Sequence, residues 1–252
     1  MILETIHNRP LADNNQCQFT CITECLTTDK LELLSGISHE LRTPVSILKS
    51  NIQLLKDLNS SLNKEIKEEC ISLCSDSIES LTNFLDSIQL INRSQRYGLT
   101  PKISLFRVKQ VSCKLFLNLS KQNLDFKRLE ITWNLGTTMI SSDLNYLRQI
   151  LQNLCANALK YSREKVSLRV QTNHNDLIIM IQDKGIGIPQ EDIMLIFNPF
   201  YRSKNATKIP GAGLGLAEVK ALTDCMNGKI YISSELLNGT IIKIVIPHGL
   251  SI

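Results

Sequence analysis

Leucine recurs every seven residues early in the chain, at Leu34, Leu41, Leu48 and Leu55, with Ile37, Val45 and Ile52 widening the stripe. That is the seam of a helix packed lengthwise against other helices. Thr28 or Asp29 is placed to cap it, and the pattern carries to about residue 58. Asn59-Ser60-Ser61-Leu62-Asn63 reads as a turn. A second stripe then runs from about Lys64 to Arg96, through Ile66, Cys70, Leu73, Cys74, Ser77, Leu81, Phe84, Leu85, Ile88 and Ile91. Two long helices joined by a short turn make an antiparallel hairpin. One hairpin cannot bury both stripes. Two copies can, as a four-helix bundle, so a homodimer is expected.

The seam also places His39, in Ser38-His39-Glu40-Leu41-Arg42-Thr43-Pro44. At about 100° per residue it lies roughly 160° around the helix from Leu41. It is therefore expected to project into solvent, beside a carboxylate and one turn ahead of a proline. An exposed imidazole on a rigid helix is a place to put a phosphoryl group. Its ordinary pKa near 6.5 keeps it neutral and nucleophilic at near-neutral pH. Pro44 removes a helical N–H and gives the helix a place to bend.

The pattern changes at Gly98-Leu99-Thr100-Pro101, the expected domain boundary. Beyond it strands are predicted at Ile103–Val108, Leu129–Asn134, Val166–Thr172, Leu177–Gln182, Ile230–Ser234 and Thr240–Ile246. Helices are predicted at about Lys109–Asn123, Asp143–Tyr161 and Leu214–Met226. A hairpin is expected across His174-Asn175-Asp176. The fold class is α plus α/β: a helical hairpin over 29–97, then a two-layer α/β sandwich over 98–252 with helices on one face of a mixed sheet. Residues 1–28 read as an irregular lead-in, with a helix near the cysteines as the alternative.

The chain has 252 residues, 43% hydrophobic and 21% charged, which suits one or two globular domains. Its net charge of +4 is mild and no basic tract points to nucleic acid. No apolar stretch approaches the roughly 20 residues of a membrane span. No secretory leader is read at the N-terminus, so a cytoplasmic location is expected. Of the eight cysteines, Cys17, Cys21 and Cys25 stand four apart, as do Cys70 and Cys74. Two readings are open for them: a metal or redox site, or small apolar residues on buried faces.

Three motifs in the second half carry polar or glycine patterns. Asn153-Leu154-Cys155-Ala156-Asn157-Ala158-Leu159-Lys160-Tyr161-Ser162 puts two amides on one helix face with an ammonium nearby. Amide oxygens suit Mg²⁺, which bridges substrate phosphates. Asp183-Lys184-Gly185-Ile186-Gly187-Ile188-Pro189 follows a strand, with the aspartate at its end. Gly211-Ala212-Gly213-Leu214-Gly215-Leu216 opens a helix, where exposed N–H groups can cradle phosphate. It does not fit a dinucleotide fingerprint, because no strand directly precedes it. The polar Lys204–Pro210 before it reads as a lid.

Taken in order, these motifs resemble those of the bacterial two-component sensor histidine kinases, over about residues 30–247. Ser38–Pro44 resembles the phosphoacceptor box, Asn153–Ser162 the N box, and Asp183–Pro189 the first glycine box. Phe197-Asn198-Pro199-Phe200 resembles the F box and Gly211–Leu216 the second glycine box. Asn238-Gly239-Thr240 with the last strand is similar to the C-terminal element. The resemblance implies a dimeric phosphotransfer hairpin and an ATP-binding sandwich of the type shared with gyrase and Hsp90. It implies His39 as phosphoacceptor, Glu40 as its proton acceptor or orienting group, and Thr43 as the position used to dephosphorylate a partner's phospho-aspartate. Asp183 would accept from the adenine amino group, with Gly185 and Gly187 lining the ring pocket and Thr240 supporting it. Asn157 would hold Mg²⁺ with Asn153 beside it, and Lys160 and Tyr161 would contact phosphates. Gly211, Gly213, Gly215 and Leu216 would hold the phosphate end under a lid over Tyr201–Pro210. ATP and Mg²⁺ are the implied cofactors, and a response-regulator receiver domain the implied partner. Two other functions remain open from sequence: an ATPase or chaperone-like machine of the same nucleotide fold, and a non-catalytic signalling scaffold or regulator-phosphatase that dimerises through the bundle.

Overall fold

The computed structural model describes residues 4–5, 19–57, 63–113, 115–122, 124–173 and 175–248, with the side chains of 4–5, 19–36 and His39 outside that description. The chain divides into two compact units, Arg9–Gln89 and Leu90–Ile252 with Met1–Asn8. Residues 59–62 of the expected turn, Cys17 and the side chains of Cys21 and Cys25 fall outside the described residues.

The first unit is built on two long helices, α1 (Phe19–Asp57) and α2 (Lys64–Tyr97), whose last residues belong to the second unit. Helix α1 starts well before Thr28 and Asp29, so neither caps it. Apolar residues such as Ile22 and Leu26 extend the helical pattern upstream, and single polar residues do not stop a helix that keeps its stripe. Pro44 lies inside α1, where it supplies no N–H to the carbonyl of Glu40. Asn63 caps α2: its Oδ1 accepts from Ile66 N at 2.8 Å.

Within the hairpin unit Pro44, Cys70 and Ser77 are buried, and Leu41, Leu48, Leu55, Leu81 and Phe84 are half-buried. A second apolar row faces outward. Ile71 is 56% exposed, Ile78 56% and Leu85 50%, each seven residues from the next on α2. On α1, Val45 is 51% exposed and Ile52 45%.

The second unit is a sandwich built on a six-stranded sheet ordered β1-β7-β8-β6-β5-β3. Its strands are β1 (Glu4–Thr5), β3 (Leu129–Leu135), β5 (Val166–Thr172), β6 (Asp176–Asp183), β7 (Lys229–Glu235) and β8 (Gly239–Pro247). Only the β3–β5 pair is parallel, so the sheet is mixed as expected. Strand alternation turns Val166, Leu168 and Val170 of β5 inward, with Ile179 and Ile181 of β6 and Ile242, Ile244 and Ile246 of β8. Against them pack Leu147, Ile150, Leu151 and Leu154 of α4 (Leu144–Tyr161) and Val219 and Leu222 of α5 (Gly215–Cys225).

Two differences from the sequence reading stand out. A small second sheet pairs β2 (Ser104–Arg107) with β4 (Met139–Ser142), and β4 has no counterpart among the predicted strands. The helix expected over 109–123 is a 3₁₀ segment, Val108–Ser112, followed by the short α3 (Leu115–Lys121). Val108, Val111, Leu115 and Leu119 are all buried, so the apolar spacing was sound and only the backbone between them breaks.

Helix α4 is held at both ends. Asp143 caps its start, accepting from Asn145 N at 2.9 Å and Tyr146 N at 3.0 Å, while its other oxygen accepts from Lys102 N at 2.7 Å. Arg128 donates to the carbonyls of Leu159 at 2.9 Å, Ser162 at 2.8 Å and Glu164 at 3.1 Å, placing positive charge at the helix C-terminus. Among the described residues no helix is long and apolar enough to cross a membrane.

Candidate functional site

Anchored in this way, α4 aims its polar face at the loop that starts α5. A Cβ added at Gly215 would lie 3.5 Å from Asn153 Oδ1 and 3.5 Å from Asn157 Nδ2. A Cβ at Gly211 would lie 2.2 Å from Lys160 Nζ. The two amides and the ammonium that sequence placed on one helix face therefore do converge on the glycine run. Lys160 Nζ also stands 5.4 Å from the centre of the Tyr161 ring. Burial pushes the Tyr161 phenol above its usual pKa, and the nearby Arg202 guanidinium opposes that.

The other end of the site is the loop after β6. Asp183 is buried at the end of that strand, opposite Thr240 in the β6–β8 register. Its Oδ1 accepts from Gly185 N at 2.8 Å. Burial raises the Asp183 pKa, partly opposed by backbone N–H donation from Gly185 and Thr240. Ser234 sits behind: its Oγ accepts from Ile188 N at 2.9 Å and lies 2.8 Å from Thr240 Oγ1. The glycines here are demanded by the protein's own backbone. Gly187 has φ +65°, and a Cβ there would fall 2.0 Å from the Glu235 carbonyl oxygen.

Between the two ends lies the segment read as a lid. It is folded rather than extended. Asp192, buried, accepts from Tyr201 Oη at 2.7 Å and from Ser203 Oγ. That bond, with some burial, pushes the Tyr201 phenol up to about 12. The Arg202 guanidinium donates to the carbonyls of Ala206 at 2.8 Å, Thr207 at 3.3 Å and Ile209. Asn205 Nδ2 donates to Gly187 O at 2.9 Å, tying this segment to the loop after β6. Phe200 N donates to Gly213 O at 3.0 Å, joining the F box to the glycine run. Leu216 is half-buried in the first turn of α5.

Three residues outside the sequence reading shape this site. Arg202 lies close to Tyr161 and organises the lid. Arg128 holds the carbonyl end of α4. Glu218 of α5, buried, accepts from Gln149 Nε2 at 2.8 Å and Asn153 Nδ2 at 2.7 Å. Charged residues usually face solvent, so none of the three announces itself in a pattern. His39, Glu40 and Thr43 belong to the other unit; Glu40 is half-buried and Thr43 exposed. The solvent-facing orientation expected of His39 lies outside the described side chains.

The chemistry of the donor set fits a phosphate-bound hard cation. Among the described residues no group of three or more His, Cys, Asp or Glu side chains is placed to hold a metal. The donors that do converge are amide side chains beside a glycine run, as suits an ion that draws its other ligands from phosphate and water.

Comparison with known proteins agrees with this arrangement. The family described as histidine kinase-, DNA gyrase B- and HSP90-like ATPase matches residues 142–250. The His Kinase A (phospho-acceptor) domain matches residues 29–96. The chain is 32% identical over 228 residues to the autoinducer 2 sensor kinase/phosphatase LuxQ of Vibrio cholerae, covering 86% of this chain and 26% of that protein. It is 28% identical to the sensor histidine kinase WalK of Bacillus subtilis, covering 89% of this chain and 38% of that one. The chain thus spans well under half the length of these relatives. The solved structure of Acinetobacter baumannii histidine kinase AdeS superposes with a TM-score of 0.60 at 26% identity, over 83% of this chain and 97% of that one. With a phospho-acceptor hairpin followed by this ATPase-type sandwich, the chain belongs to the sensor histidine kinases.

Proposed function

We propose that this chain is an ATP-dependent protein-histidine kinase. It phosphorylates His39 and passes the phosphoryl group to an aspartate of a response regulator, working as a homodimer in the cytoplasm. The observation that carries the reading is the convergence of Asn153, Asn157 and Lys160 on the Gly211–Gly215 run, with the Asp183 carboxylate at the other end of the site.

In this reading the residues divide the work. Asp183 accepts from the adenine amino group in the pocket behind Gly185 and Gly187, backed by Thr240. Lys160 and Tyr161 meet the phosphates, and the N–H groups of Gly213, Gly215 and Leu216 cradle them. Asn157, with Asn153, offers amide oxygen to Mg²⁺, which when bound neutralises phosphate charge. The neutral imidazole of His39 attacks the γ-phosphorus. The bond to ADP breaks as the N–P bond forms, and Glu40 takes the proton the ring sheds. Thr43, exposed one turn along α1, is the residue we assign to removal of phosphate from the regulator. The domain assignment that goes with this is 29–97 for phosphotransfer and 98–252 for nucleotide.

The test is incubation with γ-labelled ATP and Mg²⁺, beside Asn157→Ala and His39→Gln. Acid-labile, base-stable label on the wild type alone is expected. Equal label on His39→Gln, or steady ATP hydrolysis with no phosphoprotein, overturns the reading in favour of an ATPase.

A further inference from the structure

Glu218 sits on the core side of α5, between Ala217 and Val219, and is only 4% exposed. A carboxylate there is costly unless hydrogen bonds satisfy it. Two amides do so, both at the same oxygen: Gln149 Nε2 at 2.8 Å and Asn153 Nδ2 at 2.7 Å. Residues 149 and 153 are one turn apart on α4, so the single side chain grips that helix at consecutive turns.

The consequence is directional. A carboxylate oxygen only accepts, so the amide of Asn153 must turn its NH₂ toward Glu218. Its oxygen is thereby sent the other way, where Oδ1 faces Gly215 at 3.5 Å from the position a Cβ would take. With an apolar side chain at 218, no hydrogen bond from α5 would choose between the two amide orientations.

We propose that Glu218 is a positioning residue that locks the Asn153 carbonyl oxygen toward the start of α5, making Asn153 a fixed oxygen donor for the cation and phosphates of bound ATP. The proposal rests on the nucleotide reading above. It makes Asn153 more than a support for Asn157, and it gives α5 a part in cation binding beyond the glycines at its start.

Titration of the full chain with ATP, in Mg²⁺ and in EDTA, tests it. Wild-type protein that gains no affinity from Mg²⁺ would count against the nucleotide reading itself. Given that gain, Glu218→Leu should weaken Mg²⁺·ATP binding roughly tenfold or more, as loss of an outer-shell partner does, and change binding in EDTA less than about twofold. Glu218→Gln, which still offers an oxygen to both amides, should stay within about threefold of wild type. In an Asn153→Ala background Glu218→Leu should have no further effect on Mg²⁺·ATP. Equal losses with and without Mg²⁺, additive losses in the Asn153→Ala background, or a Glu218→Gln as weak as Glu218→Leu would overturn it. Should Glu218→Leu fail to fold, the swapped pair decides. Asn153→Asp alone sets two carboxylates face to face and should lose the Mg²⁺ gain; adding Glu218→Gln restores a donor and should recover it. No recovery overturns the proposal.

Discussion

The hairpin and the sandwich solve the burial problem in opposite ways. In the sandwich, every inward position of β5 and the core side of α4 meet another element of the same chain, and residues such as Leu147, Leu168 and Ile179 are buried within one copy. In the hairpin, the row Ile71, Ile78 and Leu85 faces outward, and so do Val45 and Ile52 of α1. A heptad row left open on a helix is a surface made for another helix. The sandwich is complete as one polypeptide, whereas the hairpin is half of something. This is the arrangement expected if two copies share one bundle while each keeps its own nucleotide site.

The strongest way to break that comparison is to charge the open row. Ile78→Glu removes an apolar side chain twice in a twofold dimer, at about 1.5–3 kcal/mol per site, so about 3–6 kcal/mol of dimer stability is expected to go. Analytical ultracentrifugation should show monomer, while ATP binding by the sandwich stays near wild type. An unchanged dimer would mean that this row is not the shared seam.

A smaller effect is expected within the sandwich. Asp183→Asn puts an amide donor where the adenine amino group would donate, so ATP affinity should fall by about 1.5–3 kcal/mol, read by calorimetry. Its pH dependence has a defined sign. The folded pKa is raised above the unfolded value of about 3.9, so ionised Asp183 costs the folded state stability above its folded pKa. That cost disappears as pH falls below the unfolded value. The melting temperature of Asp183→Asn relative to wild type should therefore rise between pH 4 and pH 8. A relative fall over that range would contradict the burial argument.

The cysteines sharpen the contrast with the least perturbation. Burial pushes the Cys155 thiol up to about 12, so it should resist alkylation until the sandwich unfolds, whereas exposed Cys113 reacts at once. Cys70 of α2 is already buried within one copy, so in Ile78→Glu it should become reactive only if the separated hairpin unfolds, while Cys155 stays protected. Simultaneous loss of protection at both would mean that the two units unfold as one. Of the pair Cys70 and Cys74, Cys70 is buried, as the apolar reading expects, and Cys74 is half-buried.

The places where sequence and structure part company have local causes. Strand β4, Met139-Ile140-Ser141-Ser142, is four residues long with one buried apolar side chain, too short for alternation to register. The 109–123 segment kept a helical apolar spacing that a 3₁₀ turn and a short helix satisfy equally well. Strand β5 was legible to the residue, because Val166, Leu168 and Val170 alternate strictly between polar neighbours. Asp143 was read as the first residue of its helix and is its cap, a difference of one position that supplies three hydrogen bonds.

Periodicity and motif order by themselves determined the hairpin, the mixed α/β sandwich and the family, because a seven-residue stripe, strict alternation and glycine-bearing boxes are local regularities. Only the tertiary structure decided what the polar side chains do. Glu218 and Arg128 act on groups far away in the chain, on the Asn153 amide and on the end of α4, while Arg202 folds the lid onto itself through carbonyls only four to seven residues on. Hydrogen bonds are directional and short, so their partners exist only once the helices and sheet have brought them together.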